Sequence, residues 1–145
     1  MHEGPYISEQ HAISRRWAIL EDDGRAGWLY LTAPDSVKPI GDCWLYNRGP
    51  APERCDIDAM HEGDAPVVPR FAAAPDAAMS PSEDSLRLRW SADGESVAAF
   101  ASGELLGFIP AGYQRGFSRH LRASGAFGSI LDTDMFATLF GGAEA

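Results

Sequence analysis

The segment Tyr113-Gln-Arg-Gly-Phe-Ser-Arg-His-Leu-Arg122 gathers Arg115, Arg119, His120 and Arg122 without one carboxylate among them. That stands out in a chain of 145 residues with a formal net charge of -9. A guanidinium offers a planar fork of N–H donors that matches a carboxylate or a phosphate, and Tyr113 and Phe117 add rings for stacking. The chemistry predicted is recognition of an anion, with Tyr113, Arg115, Arg119, His120 and Arg122 as the ligand-binding set. The competing reading is internal pairing, because 21 Asp and Glu side chains share the same surface. Exposed pairs of that kind are common and contribute little.

Two other clusters could hold a metal. Glu21-Asp22-Asp23 presents adjacent carboxylates, but Ca²⁺ asks for roughly six to eight oxygens and neighbours on a turn seldom converge. Cys55-Asp-Ile-Asp-Ala-Met-His61-Glu-Gly-Asp64 packs a thiol, an imidazole and several carboxylates together. Structural zinc sites repeat Cys and His at set spacings, and here each occurs once. No metal or cofactor is therefore assigned. Ser118 lies two residues from His120, but the chain has no Gly-x-Ser-x-Gly elbow and no phosphate-cradling glycine loop before a helix. No catalytic residue is assigned either, and the reading leans away from an enzyme.

The elements that must position these residues are mostly strands. Trp17-Ala-Ile-Leu-Glu-Asp-Asp-Gly-Arg-Ala-Gly-Trp-Leu-Tyr-Leu31 reads as a hairpin, with Asp23-Gly24 at the turn between aromatic-rich β-prone runs. The expected strands are 13–21, 26–32 and 40–47. Leu86-Arg-Leu-Arg-Trp90 alternates apolar and charged residues, and 95–101 and 105–109 continue it as a meander through Asp93-Gly94 and Gly103. Asp132 reads as the N-cap of a short helix over 133–140, which Gly141-Gly142 stops. Residues 1–12 read as loosely held. Residues 49–85 carry six prolines and read as a long surface excursion with short turns and an edge strand at 67–71, the alternative being a partner-binding or lid loop. The expected fold is one α+β domain over 1–145: a mainly antiparallel sheet of about six strands, hairpin plus meander, with one short C-terminal helix.

Ala18-Ile-Leu-Glu-Asp-Asp-Gly-Arg-Ala-Gly-Trp-Leu-Tyr30 and Ile40-Gly-Asp-Cys-Trp-Leu-Tyr-Asn47 resemble a family of small bacterial proteins of unknown function. Its marks are an acidic Glu-Asp-Asp-Gly turn, an aromatic return strand and a Tyr-Asn strand end. The resemblance covers about the sheet-forming third of the chain and implies a fold. It implies no activity.

Composition narrows the rest. Without clustered Lys and Arg, so acidic a chain is a poor partner for nucleic acid, and no apolar run is long enough to span a bilayer. The opening residues lack the basic and apolar regions of a secretory signal, which makes the cytoplasm the expected compartment and leaves Cys43 and Cys55 as free thiols. Eleven of the 12 basic residues are Arg, a bias that fits a GC-rich bacterial genome. The leading expectation is a protein-interaction or binding module, acting as a homodimer across an open sheet face or neutralising a basic partner as toxin-immunity proteins do. The alternative is a small-ligand binder or enzyme using the Arg/His cluster for an anionic substrate.

Overall fold

The computed structural model describes residues 4–53 and 66–141. The protein is α+β, but its strands form two sheets rather than one. Strands β1 (Tyr6–Gln10), β2 (Trp17–Asp22), β3 (Ala26–Thr32) and β4 (Pro39–Asn47) make a four-stranded antiparallel sheet in sequence order. Strands β5 (Leu86–Trp90), β6 (Val97–Ala101), β7 (Glu104–Ile109), β8 (Phe117–Ser118) and β9 (Ser129–Ile130) make the second, in which only β8 and β9 run parallel. The helix α1 (Thr133–Phe140) closes the chain.

The two sheets pack face to face, and alternation dictates which side chains meet. Ala18, Leu20, Leu29, Leu31, Cys43 and Leu45 of the first sheet share one core with Leu86, Val97, Ala99, Leu106 and Ile109 of the second. Of the three register shifts in the two sheets, two adapt the strands to this interface. One, at Leu45, turns Leu45 and Tyr46 to the same inner face; the other brings Leu106 and Gly107 inward together. Gly107 permits the closest approach, since a Cβ there would lie 2.7 Å from the Cys43 sulfur.

The outer faces are also covered. Residues 66–79 and Leu121 lie over Trp28 and Trp44 on the first sheet, burying Val68, Ala73 and Ala77. The helix lies over the second, where Phe108 meets Phe117, Phe136 and Phe140 with ring centroids 5.2, 5.8 and 6.0 Å apart. The open sheet face expected from sequence is thus occupied by the same chain. Residues 66–79 contain one short 3₁₀ turn, Pro75–Ala77, and isolated bridges but no strand at 67–71. Their small apolar side chains pack with the tryptophans, and the Val68 backbone is satisfied by the buried Asn47 amide. Tyr6–Gln10, read as loose, is the edge strand β1, which its polar residues disguise.

The margins of the sandwich differ. On one side β4 is stitched to the segment entering β8: Asp42 N–H donates to Gln114 C=O at 3.0 Å and Gly116 N–H to Asp42 C=O at 2.7 Å. On the other side β1 and β5 are both terminal strands of their sheets. No described helix is long and apolar enough to cross a membrane.

Candidate functional site

The Tyr113–Arg122 segment does not form one pocket. Phe117 and Ser118 form β8 and point to opposite faces, and the residues after them turn away from the strand. Arg115 leaves before the strand, its Nη1 donating to Asp42 Oδ2 at 2.7 Å and its Nε to Ala126 C=O at 3.2 Å. Arg119 donates to the Leu105 carbonyl and approaches Glu104 at 3.9 Å. Tyr113 is half exposed with its ring 5.7 Å from that of Phe117. His120 is buried against Trp44, and its Nδ1 lies 2.9 Å from the Leu45 carbonyl. A carbonyl only accepts, so Nδ1 carries the hydrogen, and Nε2 lies 4.0 Å from the Asp76 carboxylate.

Arg122 alone of the set reaches a cleft. It is exposed, pairs with no carboxylate among the described residues, and lines a hollow of about 340 Å³ with Arg70, Asn47, Ala74 and Pro75. Arg70 is engaged with Glu53 at 3.1 Å, both side chains being well exposed. The floor of the cleft is fixed by a buried amide that sequence reasoning missed. Asn47 Oδ1 accepts from Trp44 Nε1 at 3.0 Å and from Val68 N–H at 3.3 Å, while Nδ2 donates to Val68 C=O at 3.0 Å. This fastens residues 66–79 to the end of β4. The Tyr-Asn pair at that strand end was visible; its partner, twenty-one residues on, was not.

The acidic turn is structural. Asp22 is fully buried, its Oδ2 accepting from the Tyr46 hydroxyl at 2.6 Å and from Arg48 Nε at 2.7 Å, and its Oδ1 from Gly24 N–H at 2.9 Å. Burial first, and then the hydrogen bond to Asp22, push the Tyr46 hydroxyl far above its ordinary pKa. Asp23 caps the turn, accepting from Arg25 and Ala26 N–H. With these lone pairs engaged, no group of three or more metal-ligating side chains forms among the described residues. The Cys55–Asp64 cluster lies outside the described residues. Ser118 is fully buried, so no substrate reaches its hydroxyl, and burial raises the pKa of the Cys43 thiol well beyond that of an ordinary cysteine.

The open margin between β1 and β5 carries a second concavity, about 450 Å³, absent from the sequence reading. Ile7, Leu86 and Leu88 supply its apolar lining and Glu9, Glu83 and Asp84 its charge. Its one cation, Arg87, donates through Nη1 to the Asp84 and Leu86 carbonyls, both at 2.8 Å. No sequence signal marks it, because its two walls, Ile7–Glu9 and Glu83–Leu88, are far apart in the chain.

Charge elsewhere is distributed in the same way. Arg15, Arg16, Arg48, Arg70, Arg115 and Arg119 each lie within 4 Å of a carboxylate: Asp35, Glu95, Asp22, Glu53, Asp42 and Glu104 in turn. Comparison with family models, with curated proteins and with solved structures returned no match.

Proposed function

We propose that this chain is a protein-binding module whose partner is basic, and that it acts by association rather than catalysis. The observation that carries this reading is the fate of its cations. Six of the 12 Lys and Arg side chains are drawn onto the protein's own carboxylates, which leaves few cations among the described residues to offset the surplus of acid, -9 overall. Such a field raises the encounter rate with a positively charged partner and repels nucleic acid and copies of the chain itself. The free buried thiol of Cys43 fits a reducing compartment such as the bacterial cytoplasm.

Titration calorimetry against a panel of small basic proteins, with small acidic proteins as controls, tests the reading. Saturable one-to-one binding to a basic member that persists at physiological ionic strength is the expected result. Heats that vanish at that ionic strength for every member would overturn it. A second reading, a site for a small anion, has one observation in its favour: Arg122 lines the cleft beside Asn47 and pairs with no carboxylate among the described residues. A melting temperature raised by a carboxylate or phosphate metabolite, and not raised in Arg122→Ala, would favour it instead.

A further inference from the structure

We infer that the open margin of the sandwich receives an extended basic segment of the partner, which adds to β1 as a further strand. This rests on the reading of the protein as a module for basic partners and names where and how the contact is made. The argument starts from the ladder. In an antiparallel pair every second residue exchanges both backbone hydrogen bonds with its neighbour, and the residues between turn theirs outward. Asp22 N–H bonds Pro5 C=O and His11 N–H bonds Arg16 C=O, and the register pairs Ile7 with Leu20 and Glu9 with Ala18. The bonded set is therefore 5, 7, 9 and 11. Ser8 and Gln10 turn their backbone N–H and C=O away from β2, into the margin. No described strand pairs with that edge.

The two walls of the margin are not equivalent. On β5 the same logic, from the Ser91–Ser96 and Ser85–Ser102 bonds, turns Leu86, Leu88 and Trp90 outward. There Arg87 folds over the edge and bonds the Leu86 carbonyl, a charged side chain placed where it blocks pairing. Strand β1 has no such guard. Tyr6-Ile-Ser-Glu-Gln10 contains no Lys, no Pro and no register shift against β2. An unguarded, regular edge is a template for strand addition.

The groove beside that edge selects the occupant. A strand laid against β1 places its inward side chains over Ile7, Leu86 and Leu88, and its cations within reach of Glu9, Glu83 and Asp84. Glu9 is held at the lip by Trp90, whose Nε1 donates to Oε1 at 3.2 Å. Glu83 and Asp84 are exposed on a 3₁₀ turn, and neither is paired with a cation among the described residues. A second copy of this chain would bring Glu9 and the same acidic lip against their own likeness, so the charge favours a basic partner over self-pairing.

The test uses the full chain and a short peptide alternating lysine with valine, beside the same peptide N-methylated at every second residue. Methylation removes the donors along one edge and leaves charge and side chains in place. The expected results are tighter binding of the unmethylated peptide by roughly tenfold or more, and new protection from hydrogen exchange at the Ser8 and Gln10 amides. Glu83→Lys with Asp84→Lys, on an exposed turn, is expected to abolish binding without altering the free protein's melting temperature. Equal binding of both peptides, with the Ser8 and Gln10 amides exchanging freely, would overturn strand addition at β1 while leaving the basic-partner reading intact. Binding of neither peptide, with no basic protein bound, would overturn both. Protection at Ser8 and Gln10 that appears without peptide, rising with protein concentration as the mass doubles, would replace the partner by a second copy.

Discussion

Asp22 shows how much a single carboxylate holds in this protein. It ties the turn through Gly24, strand β4 through Tyr46 and the chain beyond β4 through Arg48. Removing one member of a buried, hydrogen-bonded charge pair costs about 3–5 kcal/mol, because the remaining groups stay desolvated. Arg48 is partly exposed, which places Asp22→Ala near the lower end, and urea denaturation would measure it. Asp93 acts in the opposite regime, at the surface. The Glu95 N–H and the Ser91 hydroxyl hold its carboxyl below the ordinary aspartate range. A depressed folded-state pKa contributes stability above the unfolded value, and that contribution is lost as pH falls through the folded one. Asp93→Asn should therefore lower stability modestly at neutral pH, flatten the acid limb and leave stability at the lowest pH little changed, read from melting temperature against pH. At this scale the sequence exposed the residue types but not their roles. Asp22 looks like one of three equivalent acids on a turn; only the position of Tyr46 across the hairpin singles it out.

Elements were legible in proportion to how local their causes are. The helix is a local object: Asp132 accepts from Met135 N–H at 3.0 Å and Gly141 takes φ of 86°, and both caps can be read from residue type. Asp132→Ala should destabilise the protein by about 1 kcal/mol, measured as a shift of the denaturation midpoint at unchanged slope. The strands β3 and β5 were equally readable because alternation and turn chemistry agree. The two-residue strands β8 and β9 were not, since their only reason for being extended is pairing with β7 and with each other. The register shifts in β4 and β7 have the same origin. They answer the shape of the facing sheet, which no window of sequence contains. The basic segment does not act as one surface for a related reason: a strand and its approach send neighbours to different layers.

For the whole molecule the error was to count one sheet where two face each other. Both arrangements use the same hairpins and the same alternation, so nothing local separates them. What separates them is the number of large rings. Trp28, Trp44 and Phe108 all lie on outer faces, and each outer face needed its own cover from residues 66–79 or from α1. The partner copy once expected to hide a sheet face is unnecessary for that purpose, which leaves the margin as the place where the molecule is unfinished.

Each sheet is also drawn from an unbroken run of chain, joined to the other by a single passage. In that passage residues 80–82 are held by a local turn, in which Ser82 C=O accepts from the Ser85 N–H and hydroxyl. A chain severed there gives two pieces, each with its hairpins complete and its inner face bare. Neither piece can bury that face alone, so the two should find each other. Mixing fragments 1–81 and 82–145 is expected to restore one cooperative melting transition that neither shows separately, and two independent folders would each melt alone. The protein is, in effect, a heterodimer whose subunits happen to be translated together.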